Sequence, residues 1–256
     1  MPFARLNRTV FRLSGEGVED WLSGLITNQI GGPITFAALL TPQGKIIADF
    51  FLYRDNAALL LDTPSKFAEG LHKRLRMYRL RAPIEIEETE LTVTAAWDLD
   101  EMKGFADPRL PALGHRILGT DQQKSEGDYN AHRLSLGVPD SEWDFETAKV
   151  FPADANMDLL NGVNFSKGCF VGQEVVSRMK RMTTVKKRMR GILFEGEAAA
   201  GDRILSGERM IGDVLSTHGK MGMAMMRLDR LREASFELTL NGAPVQVMSA
   251  VDGLDH

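Results

Sequence analysis

Two apolar runs of strand length, Thr35 to Leu40 and Lys45 to Tyr53, are separated only by Thr41-Pro42-Gln43-Gly44. A proline and a glycine in so short a link suit a tight reversal, so the runs pair as an antiparallel hairpin. The segments around the hairpin extend the same logic. Leu6, Val10, Phe11 and Leu13 read as an opening strand, and Ser14-Gly15 turns into a helix with Val18, Trp21, Leu22 and Leu25 on one face. Gly31, Gly32 and Pro33 close that unit. A third strand, Ala57 to Leu61, leads through Thr63 as a cap and Pro64 at the first helical position into a helix carrying Phe67, Leu71, Leu75 and Tyr78. Pro83 then starts another strand. Strand, helix, several strands, helix and strand joined by hairpin-length links predict an α+β antiparallel sheet with little parallel pairing.

Asp98 to Asp128 is rich in Gly, Pro and Asp, and reads as a connection between subdomains with a short strand at His115 to Leu118. Beyond Arg190 come short strands at Gly191 to Phe194, Arg209 to Ser216, Met221 to Met226, Ser235 to Leu240 and Pro244 to Val251, a spacing that suits a small β-barrel or sandwich. At 256 residues the chain makes one large domain or two to three small ones. A net charge of −4 gives no overall field for nucleic acid or an anionic membrane, so a polyanion site must be local. One cysteine excludes an internal disulfide and cannot alone supply the thiolates of a cluster. Arg5, Arg8 and Arg12 interrupt the apolar start, and no run reaches the ~18 apolar residues of a membrane span. A cytoplasmic location is the expectation.

No phosphate loop, complete dinucleotide loop or nucleophile elbow occurs. The five histidines stand singly, so no metal site is indicated. One segment stands apart: Asn164-Phe165-Ser166-Lys167-Gly168-Cys169-Phe170-Val171-Gly172-Gln173-Glu174. In extended backbone, residues two apart share a face, which would put the Lys167 ammonium beside the Cys169 sulfur and favour the thiolate. A helix opening after Gly172 would act in the same direction, and the glycines would let backbone approach a ligand closely.

The run KGCFVGQEVVSRMKRM resembles the signature of the YgfZ-type family, folate-binding proteins implicated in iron–sulfur protein maturation and distantly similar to the glycine-cleavage aminomethyltransferase. Trp21 to Asn28, Leu39 to Asp49 and Phe151 to Asp158 resemble the family in the same order, as does the strand-rich tail, so the likeness spans essentially the whole chain. It implies antiparallel-sheet folate-binding domains around a central cavity plus a C-terminal barrel, divided as an α+β folate-binding subdomain at 1–98, a second α+β subdomain holding the motif at 99–182, and the barrel at 183–256. It implies Cys169 and Lys167 as catalytic residues. It also implies a tetrahydrofolate pocket drawing on Asp154, Asn156, Gly168, Gly172, Gln173, Glu174 and Arg178. Asp154 is one methylene shorter than the acid many family members carry there.

In the aminomethyltransferases the stretch corresponding to Gly44 to Asp49 carries two successive aspartates, the first assigned to catalysis. Here that first position is Ala48, and Asp49 points to the opposite face of its strand. The scaffold of the enzyme is therefore expected without its key carboxylate. Downstream, Arg178, Lys180, Arg181, Lys186, Lys187, Arg188 and Arg190 place seven basic residues in thirteen positions with no acid. This strip suits either the glutamate tail of a folate or the phosphates of RNA, and the lack of interleaved aromatics disfavours RNA. Met221, Met223, Met225 and Met226 read as one buried face of a strand rather than a soft-metal box. The expectation is a folate-binding accessory factor for iron–sulfur cluster assembly or repair, with client or scaffold proteins as partners. A folate-dependent aminomethyl or one-carbon transferase is the alternative, and an RNA-binding factor in tRNA modification the second.

Overall fold

The computed structural model describes residues 2–98, 104–120, 125–181 and 185–248. The chain opens with β1 (Phe3–Leu6), β2 (Arg8–Ser14), α1 (Val18–Ser23), β3 (Ile34–Leu40), β4 (Ile46–Asp55), β5 (Ala58–Pro64) and α2 (Ser65–Arg79). It continues with β6 (Glu85–Glu88), β7 (Thr92–Ala96), β8 (Phe105–Ala106), β9 (His115–Gly119), α3 (Tyr129–Ser135) and α4 (Gln173–Arg181). Last come β10 (Lys187–Phe194), β11 (Arg203–Ser206), β12 (Arg209–His218), β13 (Met221–Arg227), α5 (Leu228–Arg232), β14 (Leu238–Leu240) and β15 (Ala243–Val247). The fold is α+β with antiparallel sheets throughout, as the hairpin-length links predicted.

The first sheet has five strands in the order β3-β4-β5-β2-β6. Its hairpin forms as read: the Thr41 amide donates to the Lys45 carbonyl and the Gly44 amide to the Thr41 carbonyl, both at 2.8 Å, with Gly44 at φ +80°. The strands β3, β4 and β5 are buried on both sides over nearly their whole length because both sides are covered. One side packs on α1 and α2 through Phe67, Leu71 and Leu75, each such burial being worth roughly 1.5–3 kcal/mol. The helix start differs from the sequence reading. Thr63 and Pro64 remain in β5, where the Thr63 hydroxyl donates to the Asp49 carbonyl, so Thr63 is a sheet residue and no side chain caps α2.

The second sheet, β1-β7-β9-β8, takes strands from both sides of residue 98 and packs on the other side of the first. Six strands, β10-β13-β12-β11-β14-β15, close the C-terminal barrel. Here β10 begins four residues before the predicted strand, and β11 was not foreseen because it has only four residues before the Gly207 turn. The strand predicted from Pro244 ends at Val247, and its last residues, 249–251, lie outside the described ones. On β13 the methionines divide between two faces: Met221, Met223 and Met225 meet the sheet units, whereas Met226 faces the barrel interior. The single-face reading fails because Met225 and Met226 are adjacent, and adjacent residues in a strand point apart.

Candidate functional site

The segment after α3 carries the first expected ligand residues in a series of tight turns rather than a helix or strand. Asp154 is almost fully buried. Its Oδ2 accepts the Phe151 amide at 3.1 Å and pairs with Lys187 Nζ at 3.3 Å, and its carbonyl accepts the Met189 amide. Asn156 takes a left-handed conformation, φ +57°, that asparagine tolerates well, and its amide donates to the Met189 carbonyl. Arg188 holds Asp158 through two bonds of 2.8 Å and donates to the Ala153 carbonyl. These groups pin β10, and with it the barrel, to the turn. Asn156 is therefore a docking residue between the turn and β10.

Beside this turn lies a cavity of about 320 Å³ lined by Phe151, Asp154, Val175, Arg178, Met179, Val185, Lys186 and Lys187. Its wall is α4, whose first residue follows Gly172. At Gly172, φ is +81° and a Cβ would come within 2.6 Å of the Thr41 carbonyl, so only glycine lets the helix start lean on the β3–β4 turn. Gly44 meets Val175 from the other side of that contact. The close approach foreseen for Gly172 is thus taken by the hairpin. At Gly168 an added Cβ would meet nothing within 4 Å. Glu174 and Arg178 are exposed and paired with each other at 2.9 Å along the helix, and Gln173 is the first residue of α4.

Cys169 is exposed, four residues ahead of α4. The segment before it is not extended: Asn164 Oδ1 accepts the amides of Ser166 at 2.8 Å and Lys167 at 3.1 Å, which curls the chain into a turn. The extended backbone assumed up to Lys167 is thus replaced by a turn that ends there. Lys167 Nζ instead donates to the carbonyls of Ser23, Ile26 and Asn28 at 2.6, 2.7 and 3.1 Å. Burial pulls its pKa down to about 8. The same two loops are joined elsewhere: Thr27 Oγ1 donates to the Gly162 carbonyl, the Asn164 amide to the Thr27 carbonyl, and Asn28 to the Asn161 carbonyl. Two motifs 140 residues apart in sequence are one structural unit, a link that no local pattern in the sequence could reveal.

Sequence reading missed the charged layer between the two sheets. Asp62 on β5 accepts from Arg8, from Arg116 at 2.9 Å and from the Tyr53 hydroxyl at 2.7 Å; Asp62, Arg116 and Tyr53 are buried and the side chain of Arg8 is nearly so. Arg109 bridges Asp107 and Asp140 and donates to the Tyr129 hydroxyl, and Arg133 pairs with Asp144. The signal was present in Asp49 and Asp62, two carboxylates inside otherwise apolar strands. Burial, followed by repulsion from Asp140, raises the Asp49 pKa, while the Ser141 hydroxyl donates to it. Ala48, one residue earlier, is wholly buried on the helix side of β4. The departure read at Ala48 thus sits in an apolar layer, and the interior carboxylate of β4 is Asp49.

The basic strip divides. Arg188 and Arg190 are buried, Lys187 pairs with Asp154, Arg178 pairs with Glu174, and Lys180 Nζ lies 3.7 Å over the Phe165 ring. It does not form one continuous exposed surface. His72 stacks on Phe11, His132 on Trp97, and His218 pairs with Asp128. Among the described residues no three His, Cys, Asp or Glu side chains converge on a common point.

Residues 180–250 match the family described as CAF17, C-terminal beta-barrel domain. Across 96% of this chain and 84% of the other, the structure superposes on the glycine cleavage system aminomethyltransferase T from Bartonella henselae with a TM-score of 0.74 at 14% identity. The fold is that of the aminomethyltransferase. In sequence the chain is similar to the human iron-sulfur cluster assembly factor IBA57, mitochondrial, at 27% identity over 95% of this chain and 82% of the relative. It is likewise similar to the Neurospora crassa IBA57 homolog, at 28% identity over 76% of this chain, and spans about half, 54%, of that relative's length. Both are named as mitochondrial proteins, which overturns the expectation of a cytoplasmic location.

Proposed function

We propose that this chain is an assembly factor for iron–sulfur proteins that holds a reduced folate in the cleft floored by Asp154 and works through the thiol of Cys169. The observation that carries the reading is the placement of both features beside α4: the cleft runs along the helix, and the exposed thiol lies four residues ahead of its first residue. The lining fits a folate. Phe151, Val175, Met179 and Val185 offer apolar walls for a pterin, Asp154 a buried carboxylate for its ring N–H groups, and Arg178, Lys186 and Lys187 a basic rim for glutamate carboxylates. Asp154 keeps acceptor capacity for this, since a carboxylate has about four acceptor sites and the Phe151 amide and Lys187 both meet Oδ2. The likeness to proteins named iron-sulfur cluster assembly factors supports the role. A single thiol offers only one of the four thiolates that usually hold a cluster, so the remaining ligands come from client or scaffold proteins.

Tetrahydrofolate binding to the folded chain raises its melting temperature. The test is a thermal titration of wild type and Asp154→Ala with tetrahydrofolate, beside complementation of a strain impaired in iron–sulfur enzymes by Cys169→Ser. A folate-dependent shift in wild type that Asp154→Ala loses, together with failed complementation by a well-folded Cys169→Ser, is the expected outcome. Equal shifts in both proteins would remove Asp154 from the site, and no shift in either would remove the folate. Full complementation by the serine variant would leave Cys169 an inert surface thiol.

A further inference from the structure

We infer that the carbonyl oxygens of Ser23, Ile26 and Asn28 form a monovalent-cation cage, which the Lys167 ammonium fills from within the chain as a plug. An ammonium has three donors and no acceptor. Here all three are matched by one carbonyl each, at 2.6, 2.7 and 3.1 Å. No carboxylate pairs with Lys167 among the described residues, so neutral groups hold the charge: the three carbonyls, with the Phe170 ring centre 5.3 Å from Nζ. Carbonyl rings that replace a cation's hydration shell are how proteins hold potassium-sized ions.

The cage also answers a local need. Ser23 ends α1, where the last carbonyls have no partner within the helix, and the final turn of α1 carries no basic side chain to meet them. Gly24 and the following loop turn the carbonyls of Ile26 and Asn28 toward the same point, and the plug arrives from a segment more than 135 residues away. Once seated, Lys167 ties the turn that carries Cys169 to the edge of the first sheet unit. Lys167 is then a positioning residue for the thiol, with its three donors engaged by the carbonyls.

That consequence for Cys169 rests on the function proposed above. The cage itself does not, and it can be measured without folate, cluster or partner. Lys167→Ala empties it. Amide hydrogen exchange in residues 24–28 and 164–170 should then quicken by about tenfold or more, with β10 to β15 unchanged. Potassium or ammonium chloride at 0.2 M should restore slow exchange, whereas lithium or choline chloride at the same ionic strength should not. Unchanged exchange in Lys167→Ala, or equal rescue by choline, would overturn the cage. Should the variant fail to fold, nitrogen-15 spectra of the wild-type lysine ammonium groups decide: one slowly exchanging ammonium that disappears in no other lysine variant supports the plug, and uniformly fast exchange refutes it.

Discussion

The two sides of the five-stranded sheet are built from the same strands and bury equally well, yet they hold different chemistry. Toward α1 and α2, Ala37, Leu39, Ala48, Phe50, Leu52, Leu59 and Leu61 make an apolar layer. Toward the second sheet, Phe51 and Tyr53 are interleaved with Asp49 and Asp62, and Arg8, Arg109 and Arg116 close over the Phe51 ring, the nearest guanidinium at 3.8 Å from its centre. The apolar side tolerates changes of shape at a cost set by cavities. The charged side depends on every partner being present, because an orphaned charge there has no water to turn to. One residue of strand register separates the two, which is why Ala48 and Asp49 lead such different lives.

The largest effect that would sharpen this contrast is expected from Arg116→Ala. It removes one of the two guanidiniums that neutralise Asp62 and should cost about 3–5 kcal/mol in denaturant unfolding, the usual range for breaking a buried pair. A loss below ~1 kcal/mol would mean that water enters the layer. Next, Ala48→Asp places a larger, ionisable group in the apolar layer and should destabilise by on the order of 3 kcal/mol. A neutral result would show that the two sides are not distinct.

Acid should act on the charged side alone. For Asp62, Asp107 and Asp140 burial raises the pKa, but attraction to Arg116 and Arg8, to Arg109, and to Arg109 respectively outweighs it, and each is held below 3.8. Their folded-state values are depressed, so their contribution is complete above pH 3.8 and is lost as pH falls below it. Asp49 and Asp144 have the opposite sign, raised by burial, and favour the folded state as pH falls toward 3.8. Stability measured by denaturant from pH 7 to 2 should therefore drop steeply only below pH 3.8. A drop centred near pH 5 to 6 would point to other groups.

Within the layer, Asp49→Asn should cost under about 1 kcal/mol, because burial and Asp140 already penalise its charge and the amide can still accept the Ser141 hydroxyl. Asp62→Asn, which strips the charge facing two arginines, should cost at least twice as much. The smallest effect is expected from Lys187→Ala. Its ammonium is partly exposed where it meets Asp154, so stability should change by less than ~1 kcal/mol while the basic rim of the cleft is weakened for an anionic ligand.

Much of the scaffold was legible in local pattern. The β3–β4 hairpin, the helix of Phe67, Leu71 and Leu75, the short strand at His115 and the strand-rich tail all declare themselves through period and punctuation. The site was legible only as a set of residues. Asp154, Asn156 and the motif from Lys167 to Glu174 were singled out, but which of them faces a cleft, which pins β10 and which plugs a loop depends on partners far along the chain.

By itself the sequence determined most of the element types, the antiparallel links and a strand-rich tail that fits a barrel or a sandwich, because hydrophobic period and turn chemistry act over a few residues. Tertiary structure alone decided that Lys167 spends its donors on the carbonyls of Ser23, Ile26 and Asn28, that Gly172 yields its space to the Thr41 carbonyl, and that Asp49 and Asp62 share one interior with the three arginines Arg8, Arg109 and Arg116. Those outcomes depend on hydrogen-bond distance and on burial, and neither exists until segments more than a hundred residues apart have closed on each other.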